Sequence, residues 1–187
     1  GNFQVKGTRV GIRIFDLCSR QSDNSISVKR KKELTGRSWP NGCHVAEVEI
    51  DAETGEVRLD RYVSVDDVGN TVNPMIVHGQ VQGGIASGLG QAVLERTEYD
   101  ASGQLLSGSY IDYALPRADD MPSLSGSLFE KAPCLTNPLG AKGTGEIGAV
   151  AGPPAIVHAV IDALAEKGIT QVDMPLQPQK IWECLNR

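Results

Sequence analysis

The 187-residue chain has few cysteines and histidines, and none of them is spaced as a metal ligand set. The four cysteines are Cys18, Cys43, Cys134 and Cys184. They include no Cys-x-x-Cys pair, the spacing by which zinc ribbons and redox disulfides bring two thiols together. We therefore expect four reduced thiols, which is typical of a cytoplasmic protein. The three histidines lie far apart along the chain and are expected to be packed or surface residues, so no metal site is predicted.

Positive charge is also scarce, since 18 Lys and Arg face 23 Asp and Glu and give a net charge of −5. This balance excludes broad binding to nucleic acid or to an anionic membrane, because both require a basic surface. No apolar run approaches the roughly 20 residues of a membrane-spanning helix. The chain starts at Gly1 with neither an initiator Met nor a signal peptide, so an internal fragment or a processed chain is expected.

Alternating apolar and polar residues predict a β-hairpin in the first half of the chain. Residues 43–50 alternate, residues 51–55 are typical of a turn, and a second alternating segment follows. In that segment Val57, Leu59, Val63 and Val65 fall on one parity and are expected to face the core together. Weaker strand patterns occur at residues 3–6, 10–15, 95–99, 104–113 and 124–130.

A helix is predicted to open at Asn73-Pro74, because proline is preorganised for the first helical turn. An apolar stripe continues from Ile76 to Val93. Five glycines interrupt it, and each costs up to ~1 kcal/mol relative to alanine. They are Gly79, Gly83, Gly84, Gly88 and Gly90. These glycines indicate either close packing against another segment or a ligand that lies against the start of the helix.

Two further helices are predicted nearer the end of the chain. The Pro153-Pro154 pair is expected to open one that ends at Gly168, and a short one follows Pro178. The strands come in hairpins rather than in βαβ alternation. The predicted fold class is therefore α+β, with antiparallel hairpins packed against two or three helices.

The densest chemistry lies in the glycine-rich segment 137–148. Residues 143–148 match G-x-G-x-x-G, but no apolar strand precedes them and the proline pair is expected to delay the helix, so a dinucleotide site is disfavoured. A Walker A loop is excluded because no Gly-Lys-Ser/Thr ends the run. Glu146 is the one carboxylate among these glycines. It is either a solvated surface residue or a base that a substrate can reach.

Several motifs in the same order resemble the molybdopterin-binding large subunit of the xanthine dehydrogenase and aldehyde oxidase family. They are Asp66-Asp67-Val68-Gly69 with Asn73-Pro74, Gly79-Gln80-Val81-Gln82-Gly83-Gly84 with Gly88-Leu89-Gly90, Gly108-Ser109-Tyr110 with Asp112-Tyr113, and Lys142-Gly143-Thr144-Gly145-Glu146. The resemblance covers residues 43–187 well and residues 1–42 loosely. It implies that residues 1–187 form the C-terminal part of the cofactor-binding domain of a subunit several times longer.

The resemblance implies a mechanism and assigns residues to it. In that family a molybdenum-bound hydroxide attacks an electrophilic carbon while hydride passes to a sulfido group on the metal. A glutamate removes the hydroxide proton, and Glu146 matches it. Gln80, with Gly79 before it, matches the segment that contacts the pterin near the metal. The residues that match the loop approaching the cofactor are Lys142, Gly143, Thr144 and Gly145. Ser87 is a departure, because many relatives have glutamine there.

The same resemblance implies the cofactors and partners. The complete enzyme would hold a molybdenum–pterin cofactor, with Fe–S and FAD centres on other domains or subunits, and would oxidise a small molecule. Aldehydes, N-heterocycles such as purines, and carbon monoxide all remain open as substrates. We expect this piece alone to bind no cofactor, to be inactive, and to self-associate through an apolar patch where the upstream part of the subunit docks. The alternative is a non-catalytic cofactor-binding or assembly domain of the same fold.

Overall fold

The computed structural model of the chain describes residues 1–31, 33 and 36–186. The chain divides into two compact units, Gly1–Leu34 and Thr35–Arg187. The first unit contains two antiparallel strands, β1 (Asn2–Gln4) and β2 (Gly11–Arg13), followed by the short helix α1 (Ile14–Cys18). These strands lie within the segments 3–6 and 10–15 for which alternation was predicted, apart from Asn2. The second unit contains every predicted site residue.

The second unit opens with the predicted hairpin. Its strands are β3 (Asn41–Ile50) and β4 (Val57–Asp67). Glu47 pairs with Arg61, whereas the next residue, Val48, pairs with Leu59. Asp60 is therefore an extra residue in β4, and it forms a β-bulge. A bulge shifts the side-chain alternation of its strand by one residue. The first half of β4 therefore buries odd-numbered residues and the second half buries even-numbered ones.

The bulge overturns one sequence prediction. Beyond it, Tyr62, Ser64 and Asp66 are buried, at 1%, 2% and 1% exposure. Val63 and Val65 are 38% and 43% exposed, so the prediction that they face the core with the first half of the strand is wrong. An uninterrupted period of two assumes a regular pleat, and the extra residue breaks that assumption. As a result, a serine and an aspartate enter the interface between sheet and helices.

The third strand of this sheet is β5 (Leu124–Leu128), which lies inside the segment predicted at 124–130. It pairs with β4 in parallel, and the strand order is β3-β4-β5. Of the predicted second hairpin over residues 95–113, the turn at residues 100–103 forms but the two strands do not. Among the described residues there, only an isolated bridge joins Tyr99 to Leu105. The Asp100 carboxylate accepts hydrogen bonds from Ser102 and Gln104 and closes a turn in place of a longer ladder.

The first long helix, α2 (Pro74–Leu89), begins where it was predicted to begin. Asn73 caps it, because its side-chain oxygen accepts a hydrogen bond from the Ile76 N–H at 3.3 Å. A π-helical turn at Gly90–Leu94 follows directly. Gly90 thus lies just beyond the α-helix in which the sequence pattern placed it.

The second long helix, α3 (Ile147–Ala163), does not begin at the proline pair. Pro153 and Pro154 lie inside it, so that prediction is wrong. An interior proline loses a backbone hydrogen bond and costs ~3 kcal/mol in an isolated helix, which is why local propensity favours a later start. Here Gly148 and Gly152 are buried against α2, and this tertiary contact holds the first turns helical.

The core of the second unit lies between the three-stranded sheet and the helices. The predicted last helix, α4 (Pro178–Leu185), closes it with Ile181 and Cys184. The side chains buried most completely include Tyr62, Ile85, Ile156, Leu164, Leu176 and Ile181. The α+β class predicted from the sequence is confirmed, with a mixed rather than a purely antiparallel sheet. Within the described residues, no helix is long and apolar enough to cross a membrane.

Candidate functional site

The site is organised by a glycine contact between the two long helices. A Cβ built on Gly84 would lie 2.8 Å from the Gly148 Cα, and one on Gly88 would lie 3.1 Å from the Gly152 Cα. Contact moves forward by one helical turn on both helices, so α2 and α3 run in the same direction. The first turn of α3 therefore lies beside the middle of α2. Close packing, one of the two interpretations left open by the sequence, explains Gly84 and Gly88 but not Gly79 or Gly83, beside which there is open space.

The glycine-rich loop that precedes α3 is fastened to the end of β4. The Lys142 Nζ donates a hydrogen bond to the Asp67 Oδ2 at 2.6 Å, and both side chains are only 11% exposed. The Lys142 N–H donates to the Val68 carbonyl at 2.7 Å. Asp67 also accepts hydrogen bonds from the Gly69 N–H and the Asn41 side chain. Burial opposes ionisation of this carboxyl, but these donors outweigh it and lower the pKa of Asp67.

Two glycines with positive φ complete the attachment. Gly69 has a φ of 65° and Gly140 a φ of 69°, in the left-handed region that glycine occupies without strain. The Gly140 carbonyl accepts hydrogen bonds from the Asn70 and Cys134 N–H groups at 3.0 and 2.8 Å. The chain thus enters the segment 143–146 from a rigid support, although that segment itself has little packing around it.

Glu146 is the residue immediately before α3, and its side chain is exposed. No hydrogen bond or ion pair to a described residue uses its carboxylate. Likewise, none uses the backbone N–H groups of residues 143–146 within the described parts of the chain. Free N–H groups at the start of a helix attract anionic groups, because the helix dipole is positive there. The arrangement therefore places an exposed carboxylate next to backbone N–H groups that have no acceptor among the described residues.

On α2 and in the glycine-rich loop, the residues predicted to contact the cofactor pack little against the rest of the chain. A Cβ on Gly79, Gly143 or Gly145 would meet nothing within 4 Å, so internal packing does not require glycine at these positions. Gln80 is exposed, and its side-chain amide makes no hydrogen bond to a described residue. It precedes Val81, whose carbonyl contacts Gly148 across the helix pair. The second turn of α2 thus lies near the first turn of α3, which directly follows the glycine-rich loop.

A buried polar cluster, which the sequence analysis did not identify, lies beside Glu146. The Nε2 of His44 is 2.8 Å from the Asp66 Oδ1, and the Nδ1 of His44 is 2.9 Å from the Tyr62 hydroxyl. Ser64 donates a second hydrogen bond to Asp66 at 2.9 Å. The side chains of His44 and Asp66 are 2% and 1% exposed. The cluster could be found in the sequence only by knowing that Asp60 forms a bulge, because Tyr62, Ser64 and Asp66 are expected to face the core together only then.

Comparison with known proteins identifies the family. The model of the molybdopterin cofactor-binding domain family matches residues 15–122, which is more than half of the chain and includes Gly79 and Gln80. The chain belongs to this molybdopterin cofactor-binding domain family. Glu146 and the loop at 142–145 lie beyond the matched range and are covered by comparison with individual relatives.

This molybdopterin-binding chain is similar to pieces of much longer proteins. It is 32% identical to the 6-hydroxypseudooxynicotine dehydrogenase complex subunit gamma of Paenarthrobacter nicotinovorans, over 97% of this chain and 24% of the relative. It is 36% identical to the carbon monoxide dehydrogenase large chain of Hydrogenophaga pseudoflava, over 79% of this chain and 18% of the relative. The chain therefore spans a quarter or less of the length of these curated relatives.

Solved structures give the same assignment. The quinoline 2-oxidoreductase of Pseudomonas putida 86 superimposes with a TM-score of 0.76 and 40% sequence identity, over 79% of this chain and 19% of that one. The family that the sequence motifs suggested, and the α+β class, are confirmed by these comparisons. The roles of the individual site residues remain predictions.

The predicted site residues differ in their exposure and in their contacts with the rest of the chain. Gly79, Gln80, Gly143, Gly145 and Glu146 are exposed. Thr144 is half-buried, and its carbonyl accepts the Ile147 N–H at 3.4 Å. The ammonium of Lys142, by contrast, is held by Asp67 and points into the support of the loop. The 143–148 motif does open a helix, but loop rather than strand precedes it, which still disfavours a dinucleotide site.

Proposed function

We propose that this chain is the part of a molybdenum hydroxylase that supplies the general base, Glu146, and one side of the cofactor site. The observation that carries the proposal is the Glu146 carboxylate just before α3, which has no hydrogen-bond or ion-pair partner among the described residues. General bases must be reachable by the group they deprotonate, and this exposed carboxylate meets that requirement.

The open backbone fits a molybdenum–pterin cofactor. Gly79 and Gln80 on α2 and residues 143–145 before α3 would hold it. Gly79, Gly143 and Gly145 lack a Cβ and have open space beside them, and the N–H groups of residues 143–145 have no hydrogen-bond acceptor among the described residues, so a large anionic ligand could approach the main chain there. When bound, such a cofactor supplies a metal centre that accepts two electrons from the carbon being oxidised. Lys142 would act indirectly, because its ion pair with Asp67 fixes the loop from which Glu146 projects.

The role of Glu146 is to take up a proton. Its carboxylate would accept the proton of the attacking oxygen at an Oε atom and release it to solvent before the next turnover. Oxidative hydroxylation of an aldehyde or of an N-heterocycle fits this requirement, because each adds an oxygen to an electrophilic carbon. The remainder of the large subunit, together with Fe–S and FAD domains or subunits, would complete the site and carry the electrons away.

Substitution of Glu146 in the complete protein tests the proposal. Glu146→Gln preserves the size of the side chain but cannot accept the proton, so kcat is expected to fall about 10²–10⁴-fold. Molybdenum content should remain near that of the unmodified protein, because no internal contact of Glu146 is lost. Turnover would be followed with an artificial electron acceptor over a panel of aldehydes and N-heteroaromatic compounds.

Glu166→Gln is the matched control, because Glu166 is an exposed carboxylate on the short turn Ala165–Lys167 after α3. It should leave both kcat and molybdenum content unchanged. Gln80→Ala should instead lower molybdenum content or reactivity, since Gln80 is assigned to the cofactor. Near-normal kcat with full molybdenum in Glu146→Gln would show that another residue is the base.

A further inference from the structure

The first compact unit of the chain, Gly1–Leu34, has no core of its own. None of its described residues, 1–31 and 33, is buried. Its regular elements are two strands of three residues, β1 and β2, and the five-residue helix α1. A two-stranded hairpin is at best marginally stable in water, and further strands or a packed apolar face are needed for independent stability. We therefore expect this unit to be stabilised by a surface that covers it.

Large apolar side chains of the first unit are exposed. Phe3, Val10 and Phe15 are 55%, 68% and 77% exposed. Phe3 pairs with Ile12 across β1 and β2, so these two side chains lie on the same face of the hairpin. A cavity of about 540 Å³ follows this face, and Leu17 of α1 lines it as well. Several large apolar side chains so close together are typical of a surface that is buried in an interface.

Three arginines line a second cavity of the first unit, which has a volume of about 410 Å³. They are Arg9, Arg13 and Arg20. None of their guanidinium groups forms an ion pair or a hydrogen bond with a described residue. Asp16 is the one acidic residue among the described residues that line this arginine cavity, and its carboxylate also has no such partner. Three positive charges therefore face one negative charge, and the cavity attracts the carboxylates of another surface.

The net charge of the whole chain conceals this basic unit. Residues 1–34 contain eight lysines and arginines and three acidic residues, which gives a net charge of +5. Residues 35–187 contain ten lysines and arginines and twenty acidic residues, which gives a net charge of −10. Opposite charges on two surfaces determine which surfaces associate, so the charge of the first unit favours an acidic partner surface.

We propose that the first unit docks on the part of the large subunit that lies outside this chain, through an acidic surface that also carries apolar side chains. Carboxylates of that surface pair with the three arginines, and its apolar side chains cover Phe3 and Phe15. The length of the relatives favours this occupant, because the chain spans a quarter or less of them and most of a comparable subunit lies outside it. The inference rests on the proposed function only in taking the complete protein to be such a large subunit.

Limited digestion with trypsin, which cleaves after lysine and arginine, tests the docking, and mass spectrometry identifies the cleaved bonds. Cleavage after Arg9, Arg13 and Arg20 is expected to be rapid in the 187-residue chain, because all three are exposed. In the complete large subunit, purified without other subunits, it should be at least about tenfold slower, since a docked segment is cleaved only when it opens. Arg13→Glu in the complete large subunit should restore rapid cleavage after Arg9 and Arg20, because it places a carboxylate opposite carboxylates.

Lys6→Glu is the matched control, because it makes the same change of charge on the same unit and Lys6 does not line the arginine cavity. In the complete large subunit it should leave cleavage after Arg9 and Arg20 slow. Equal effects of Lys6→Glu and Arg13→Glu would overturn the proposal, as would equal cleavage rates in the 187-residue chain and the complete large subunit.

Two further outcomes would assign the first unit to a different occupant and so overturn the proposal. Protection that appears only when other subunits are added would indicate a separate subunit. Protection of the 187-residue chain that grows with its concentration would indicate a second copy of the chain. Because proteolysis does not depend on turnover, failure here is separate from failure of the Glu146→Gln test, which judges the proposed function.

Discussion

The ion pair between Lys142 and Asp67 is expected to determine whether the glycine-rich loop keeps its position. Asp67→Asn is the sharpest perturbation, because the amide retains the shape of the side chain and an oxygen that can accept the Gly69 N–H. What it removes is the charge opposite the Lys142 ammonium, which is 2.6 Å away. The lysine is left almost buried without a counter-ion.

The magnitude follows from the burial of the pair. Removal of one partner of a fully buried ion pair costs ~3–5 kcal/mol, whereas exposed pairs contribute ~0–1 kcal/mol. Since 11% of each side chain still reaches solvent, we expect Asp67→Asn to lower the free energy of unfolding by ~2–3 kcal/mol. Lys142→Met should cost a similar amount, because it leaves the buried carboxylate uncompensated.

Urea unfolding of the 187-residue chain, followed by tryptophan fluorescence at pH 7, measures these losses. The double variant, Asp67→Asn with Lys142→Met, should lose clearly less than the sum of the two single variants, because the second change removes the isolated charge that the first one leaves. A loss below ~0.5 kcal/mol for Asp67→Asn, or strict additivity in the double variant, would refute the assignment of Lys142 as the support of the loop.

The same pair predicts a pH dependence with a definite sign. The pKa of Asp67 is lower in the folded chain than in the unfolded chain. The contribution of Asp67 to the free energy of unfolding is therefore complete above its pKa in the unfolded chain, ~4, and is lost as the pH falls through its lower pKa in the folded chain. Between pH 5 and pH 2 the free energy of unfolding should fall more steeply for the unmodified chain than for Asp67→Asn. Equal slopes of the free energy of unfolding against pH for the two proteins would contradict this prediction.

Three further predictions concern packing, cofactor content and association. Gly84→Ala should destabilise the chain by ~1–3 kcal/mol, because its Cβ would meet the Gly148 backbone at 2.8 Å. Gly83→Ala, which has open space beside it, should instead stabilise the chain by up to ~1 kcal/mol. Equal urea midpoints for the two variants would contradict the helix contact. Metal analysis of the purified 187-residue chain should find far less than one molybdenum per chain, because the chain supplies only the two segments that we propose contact the cofactor. Stoichiometric metal would refute this. Light scattering should show self-association that grows with protein concentration, since large apolar side chains such as Trp39 and Val150 are exposed. A strict monomer at all concentrations would count against an exposed apolar docking patch.

Much of the fold was accessible from the sequence because it depends on neighbouring residues. Alternation located the hairpin of β3 and β4, and Asn73-Pro74 located the first residue of α2, since pleat and helix capping act over a few positions. The motifs around Gln80 and Glu146 were sufficient to indicate the family, because their order and spacing survive in a fragment.

The tertiary structure alone decided the features that depend on distant contacts. The bulge at Asp60 is a property of two strands, and it exchanged Val63 for Ser64 and Asp66 in the interior. Contact with α2 extended α3 back past its prolines to Ile147, against the local propensity of the sequence. The pairing of Lys142 with Asp67, 75 positions away along the chain, could not be inferred from either neighbourhood. Local patterns fix which element forms, but burial and partner choice are set by segments that meet only when the chain has folded.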